Sequence, residues 1–322
     1  MKAIVQDRYG PPDVLELKDI DRPEVNDDEV LVRVHAAAVN AADWHFMRGV
    51  PYIGRLSFGL LKPKNPVRGR DVAGTVEAVG KNITQSQPGD EVYAEVETGS
   101  FAEYTVVPED ALELKPSNLT FEQAATIPVS ATTALQGLRD RGRIQPGQKV
   151  LINGASGGVG TFAVQLAKSF GAEVTGVCST SKVEMVRSIG ADHVIDYTQE
   201  DFTRSGQRYD LILDLVGNHS LSDCRSALTP KGTLAMSSGD GNLWLGPMMR
   251  IIKGLVLSIF VSQRLGPFVA KSNKQDFRFL KELIEAGTIQ PVIDRTYPLS
   301  EIPEAVRYLE EGHARGKVVI AL

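Results

Sequence analysis

Four glycines crowd the stretch NGASGGVGT: Gly154, Gly157, Gly158 and Gly160. The apolar run KVLI leads into it and ends at Asn153, and a helix-periodic pattern follows from Gly158 to Phe170. At a strand-to-helix junction such residues can cradle phosphates. A small residue permits the tight turn, a glycine at 157 lets the backbone approach a pyrophosphate, and a glycine at 160 lets the helix pack on the strand. The helix N-terminus adds free N–H groups and the positive end of its dipole. Read as G-x-G-x-x-G the register is Ala155, Gly157 and Gly160; read as G-x-x-G-x-x-G it is Gly154, Gly157 and Gly160. The candidate cradle is therefore Gly154, Ala155, Ser156, Gly157, Gly158, Val159 and Gly160, and the plain alternative is a glycine turn without a ligand. A mononucleotide P-loop is excluded, because Thr161 follows Gly160 directly with no Gly-Lys-Ser/Thr.

About twenty residues on, the strand EVTGVC runs into CSTSK. A site for NAD wants an acid there to hold the ribose 2′-hydroxyl. Here stand Cys178, Ser179, Thr180, Ser181 and Lys182: hydroxyls and a cation, suited to a 2′-phosphate. The expected cofactor is NADPH. The competing reading makes Ser181 a helix cap and Lys182 a solvated charge.

These residues need a scaffold. The first 120 or so residues read as short strands (KAIVQ, LELKDI, EVLVRVHAAAV, VAGTVEAVG, EVYAEV, AEYTVV) parted by turn signals, with NAADWHFMRG as a helical interruption. Thr120 is a helix-cap candidate, and Pro128 is expected to break or kink the helix it begins. Strands and helices then alternate: KVLING, a helix over 158–170, EVTGVC, a helix over 181–189, HVIDY, YDLILDLVG, a helix over 220–228, GTLAMSS. That is the βαβ rhythm of a doubly wound parallel sheet. The tail, with helix NKQDFRFLKELIEAG and strand GKVVIAL, leaves that rhythm and is expected to rejoin the first domain.

Composition narrows the function. With 42% hydrophobic and 23% charged residues the 322-residue chain reads as soluble, and its length suggests two domains. A net charge of −5 without a long basic run excludes nucleic acid as a main partner. Cys178 and Cys224 form no CxxC, and the five histidines lack metal spacing, so neither a disulfide scaffold nor a metal site is expected. The N-terminus has no apolar leader, which makes the cytoplasm the expected compartment. The most apolar run, 242–261, holds Arg250 and Lys253, so a spanning helix is excluded. It reads as a buried strand plus a pocket-lining or subunit-contact segment, in preference to a peripheral membrane contact.

In their order, AAVNAADWHFMRG, RGRDVAGTVEAVG, PGDEVY, GSFAEY, INGASGGVGTFAVQLAK, GADHVIDY, DLILDLVG and HARGKVVI resemble the zinc-independent quinone oxidoreductase branch of the medium-chain dehydrogenase/reductase superfamily, zeta-crystallin-like and chloroplast-envelope-like, over nearly the whole chain. The resemblance implies an α/β fold: a GroES-like β-barrel catalytic domain (1–122 and 263–322), a doubly wound parallel-sheet Rossmann domain (123–262), a catalytic cleft between them, and a homodimer. It implies no metal, since Asn40 stands where zinc enzymes place a cysteine and Arg70 where they place a histidine. Carried over by position, Asn40 and Asp43 lie beside the nicotinamide, with Thr133 near it. Lys182 and Tyr197 contact the 2′-phosphate, as Ser179 and Thr180 are placed to do. Val216 and Gly217 touch the cofactor through backbone. Ser237, Ser238 and Gly239 close on the nicotinamide ribose, and Lys317 is a basic cofactor contact.

The implied reaction is hydride transfer from NADPH to a small-molecule acceptor, a quinone or an α,β-unsaturated carbonyl. Tyr52 and Trp44 are acceptor-pocket candidates and Tyr52 a hydrogen-bond donor, so the catalytic set is Asn40, Asp43 and Tyr52. Two alternatives stand beside it: a zinc-free alcohol or aldehyde reductase on the same scaffold, and a low-turnover cofactor-binding or membrane-associated scaffold protein.

Overall fold

A computed structural model describes residues 1–97, 99–237 and 248–322, without the side chains of residues 248, 249, 251 and 259. It divides into two compact units, one of residues 1–132, 272–287 and 291–322, the other of 133–271 and 288–290.

The first unit opens with a hairpin, β1 (Lys2–Gln6) against β2 (Leu15–Asp19). Its main sheet is built on β3 (Glu29–Val39), β4 (Asp71–Val79), β5 (Glu91–Glu95), β6 (Tyr104–Pro108) and β7 (Leu112–Leu114). The eleven residues of β3 alternate badly between faces because both are covered: only Arg33 is exposed along it. Valines of β3, β4 and β5 form one buried cluster. Two short helices lie between β3 and β4, α1 (Ala41–Arg48) and α2 (Arg55–Phe58). α1 stops at Gly49, which adopts the left-handed conformation that a glycine takes most cheaply (φ 63°). Next come α3 (Phe121–Ala124), capped by Thr120 as its sequence predicts, and α4 (Pro128–Gln136). The helical pattern begun at Thr120 breaks before Pro128, as its sequence predicts, and Pro128 then opens α4, since a first-turn position needs no proline N–H.

The second unit is a six-stranded, all-parallel sheet of β8 (Lys149–Asn153), β9 (Glu173–Cys178), β10 (His193–Asp196), β11 (Tyr209–Asp214), β12 (Leu228–Met236) and β13 (Arg264–Pro267). Its order is β10-β9-β8-β11-β12-β13, the doubly wound pattern that reverses beside β8. The helices are α5 (Gly158–Ser169), α6 (Val183–Ser188), α7 (Leu221–Ser226) and α8 (Met248–Phe260). Two expectations change here. Residues 248–260 form a helix, not a buried strand, with Ile252, Leu255, Val256 and Phe260 exposed at helical spacing. And β13, assigned from sequence to the first domain, pairs with β12 as an edge of this sheet.

The chain then adds α9 (Lys274–Glu285), β14 (Ile293–Pro298), α10 (Ile302–Glu310) and β15 (Lys317–Ala321) to the first unit. β15 pairs antiparallel with β3, Val318 opposite Val39, and so sets Lys317 near the start of α1. The completed sheet runs β14-β15-β3-β4-β5-β7, with β6 also on β3.

Candidate cofactor and reductase site

In the second unit, β8 ends at Asn153 and α5 begins at Gly158, as the glycine pattern requires. Two of the glycines are explained by the chain itself. Gly154 has φ +91°, and a Cβ on Gly160 would lie 2.1 Å from the Gly154 carbonyl oxygen. Gly157 is different. Its φ is −84°, which any residue adopts, and a Cβ there would meet nothing nearer than 3.6 Å. Neither strain nor crowding among the described residues asks for a glycine at 157; close approach of a pyrophosphate to the backbone would. Gly157, the N-cap, has no side chain with which to cap the first turn of α5, and a helix N-terminus of this kind suits an anion. Ala155 and Ser156 are buried in the turn, and the Ala155 N–H is fixed to the Val177 carbonyl at 3.0 Å.

β9 delivers CSTSK at its C-terminal end. Lys182 is buried, 7% exposed, which removes the reading of a solvated charge. The predicted cap is also absent: α6 starts after Lys182 without a side-chain cap, and Ser181 lies in a preceding turn of 3₁₀ helix. Tyr197 stands 60% exposed just past β10, its N–H bonded to the Cys178 carbonyl at 3.0 Å, so it is no core residue. Thr180 departs from the expectation. Its hydroxyl donates to Asp196 at 2.5 Å and lies 3.0 Å from the Thr198 hydroxyl. Asp196 is an acid that sequence spacing along β9 alone does not reveal. Its other oxygen accepts from the Thr198 N–H at 3.0 Å and hydroxyl at 2.8 Å. The Thr180 hydroxyl leads these contacts in holding the Asp196 carboxyl below its ordinary range.

Beyond β11 the backbone N–H groups of Val216 and Gly217 turn inward to Asp214, at 3.3 and 2.9 Å. Any backbone contact they make with a cofactor is therefore through carbonyls, a correction to the simple expectation. Buried Asp214 also accepts from Asn153 (2.9 Å) and Arg250 (2.6 Å), which ties the ends of β8 and β11 together beside the strand-order reversal. Sequence pattern had not singled out Asn153, Asp214 or Arg250. Thr133 is buried on α4 and Ser237 is exposed just after β12. Ser238 and Gly239 lie outside the described residues.

In the first unit the structure brings together Asn40, Asp43 and Lys317, and adds Asp71. Asn40 precedes α1, and the Asp43 carboxylate reaches back to the Asn40 N–H at 2.7 Å, one half of a capping box. The Asn40 amide donates to Asp71 at 3.0 Å, and its oxygen accepts from the Lys317 ammonium at 2.6 Å. Lys317 also donates to Asp71 at 3.0 Å, and the second Asp71 oxygen accepts from the Val129 N–H at 2.9 Å, in the first turn of α4. Lys317 and Asp71 are 2% and 0% exposed, a fully desolvated ion pair. Lys317, expected as a cofactor contact, spends its ammonium on this network. Burial pushes the Asp43 carboxyl up to about 6; neighbouring Asp71 adds to the rise, and the Asn40 N–H, Arg70 and Lys317 oppose it. Tyr52 is half-buried with Arg55 over its ring at 4.7 Å. Trp44 packs on a core cluster and stacks on His45, so it has structural work of its own. Arg70, the residue in the zinc-ligand histidine position, pairs with Glu95.

Family comparisons agree with this geometry. The model described as "Alcohol dehydrogenase GroES-like domain" matches residues 26–117, and the one described as "Zinc-binding dehydrogenase" matches 189–320. The mouse protein named "NAD(P)H oxidoreductase RTN4IP1, mitochondrial" is 37% identical, over 99% of this chain and 89% of that protein. The Arabidopsis thaliana "NADPH-dependent alkenal/one oxidoreductase, chloroplastic" is also 37% identical, over 99% of this chain and 79% of its own length. The chain belongs to the medium-chain dehydrogenase/reductase superfamily. Within it, the solved structure of the quinone oxidoreductase from Coxiella burnetii superposes with a TM-score of 0.86 at 30% identity, covering 100% of this chain and 99% of that one. For a medium-chain reductase the glycine loop, CSTSK and Lys182 are a fitting dinucleotide-binding set. One family model carries zinc in its description; among the described residues no three His, Cys, Asp or Glu side chains are grouped as a metal ion requires.

Proposed function

We propose that this medium-chain reductase uses NADPH, without zinc, to reduce a quinone or an α,β-unsaturated carbonyl. The single observation that carries the cofactor half is Gly157, a glycine with ordinary φ and open space at its Cβ position. The relatives' names, an alkenal/one oxidoreductase and a quinone oxidoreductase, support the acceptor half.

When bound, NADPH supplies the hydride. The residues hold, orient and charge-match. The first turn of α5 offers N–H groups to the pyrophosphate, and Lys182, with Ser179 and Tyr197 beside it, suits the 2′-phosphate. Asn40 and Asp43 remain the pair proposed beside the nicotinamide, with Thr133, and their orientation is fixed by Asp71 and Lys317. Tyr52 is the proposed donor to the acceptor oxygen. A hydride added to a quinone or enone leaves an oxyanion or enolate, which takes its proton from water.

The zinc-free reading rests on Asn40 and Arg70 standing in the ligand positions; stoichiometric zinc on metal analysis would end it. The homodimer is supported by the exposed apolar stripe of α8 beside edge strand β13, and a monomer at micromolar concentration in sedimentation velocity would remove it. A cytoplasmic location is supported by Cys178 and Cys224 standing as free thiols, as a reducing compartment keeps them; fractionation of cells tests it.

Fluorescence titration with NADPH tests the cofactor site. Gly157→Ala is expected to weaken binding about tenfold or more, because its methyl occupies the phosphate's approach. Its melting temperature should change little, since the lost N-cap preference of about 1 kcal/mol is offset by the gain from restricting the unfolded chain. Unchanged affinity would return the loop to a plain turn.

A further inference from the structure

Between Asp43 and Asp71 the chain carries six basic residues and no carboxylate, in a protein of net charge −5. The structure gathers part of this run at one anchored protrusion. α2 ends at Gly59, whose N–H bonds the Arg55 carbonyl, and the following turn closes with Lys64 N–H on the Phe58 carbonyl at 2.8 Å. The Tyr9 hydroxyl holds the Gly59 carbonyl at 2.6 Å, and the Phe58 ring meets Phe46 edge-on at 4.4 Å. Gly59 has φ +118°, and a Cβ there would lie 2.0 Å from the Lys62 carbonyl oxygen, so the turn is tightly shaped. On this base Leu56, Leu60 and Leu61 are 72%, 65% and 86% exposed, with Lys62 and Lys64 exposed beside them.

Three leucines raised into water on a well-held turn gain nothing for the fold. Leucines interleaved with lysines match one environment well, the boundary of an anionic bilayer, where apolar side chains enter the acyl layer and ammonium groups meet lipid phosphates. An acidic protein surface would satisfy the lysines but not the leucines. Asp7, the acid that faces Lys62, is already held by Lys18 at 2.7 Å.

We propose that the turn from Leu56 to Lys64 docks this protein on an anionic lipid surface, with Leu56, Leu60 and Leu61 in the acyl boundary and Lys62 and Lys64 at the headgroup phosphates. The readout is binding, so it stands or falls apart from the redox reading. The full chain is floated with phosphatidylcholine vesicles, with or without phosphatidylglycerol. Flotation is expected with the anionic vesicles and should weaken at high salt. The partition coefficient is expected to fall about tenfold or more in Leu60→Glu/Leu61→Glu, and comparably in Lys62→Glu/Lys64→Glu, with melting temperatures held. Val256→Glu, on the exposed stripe of α8, is expected to float like the parent. The proposal is overturned if the parent floats no better than the leucine variant, or equally on neutral vesicles. It is also overturned if Val256→Glu alone abolishes flotation, or if the leucine pair instead governs self-association or capture by an acidic protein.

Discussion

Asp43 is the residue whose chemistry the fold alters most visibly. Burial raises its carboxyl from 3.8 to about 6, so the folded state holds a proton that the unfolded chain releases between those values. The sign is opposite to that of a salt-bridged aspartate: stability from this group is complete below about pH 4 and is lost as pH rises to about 6. The loss over that range is on the order of 3 kcal/mol. In urea melts from pH 4 to pH 7, Asp43→Asn should flatten that part of the profile; an unchanged slope would assign it elsewhere. Lys182 makes a second expectation. Replacing it with Ala should raise KM for NADPH about tenfold, the cost of one charge-assisted contact, and leave KM for NADH unmoved. Equal effects on both cofactors would place Lys182 in the fold rather than at the 2′-phosphate. At this scale the strand–glycine–helix junction and the place of Lys182 after β9 were legible from local pattern, while Asn40 and Asp43 were named through the family resemblance and the structure sets them together at the start of α1. Asp71 and Asp196 were not legible as partners, because their contacts cross 31 residues to Asn40, 246 to Lys317 and 16 to Thr180. No spacing rule spans a sheet.

Elements were legible in proportion to their periodicity. α5 and α9 fall within a residue or two of their predicted bounds, because a strong apolar stripe and clear end signals frame them. The run 248–260 was misread because continuous apolar sequence does not by itself distinguish a strand from a helix. Residues 264–267, which form β13, were assigned to the wrong domain because four residues carry too little pattern to read as a strand or to report their partner. The junction of β8 and α5 gives an element-scale contrast with Gly157. A methyl on Gly160 would drive into the Gly154 carbonyl and the Ala155 backbone, so α5 has to move off the sheet. Gly160→Ala is expected to cost about 3 kcal/mol or more, read as a lower denaturation midpoint with or without cofactor. A neutral result would contradict the close packing of α5 on the turn.

For the whole molecule, relatives at 37% identity place this chain among the medium-chain reductases, and the doubly wound parallel sheet followed from the order of its strand and helix signals, whereas the β3-centred sheet was legible only as a β-rich first domain. The acceptor did not follow from that order, because fold fixes the scaffold and not the chemistry grafted on it. The most direct test is a steady-state comparison, following cofactor oxidation with a quinone, an enone and a simple aldehyde, each with NADPH and with NADH. The account predicts turnover with the quinone or the enone, and a kcat/KM about tenfold or more higher with NADPH than with NADH. Turnover confined to the aldehyde, or NADH used as well as NADPH, would contradict it.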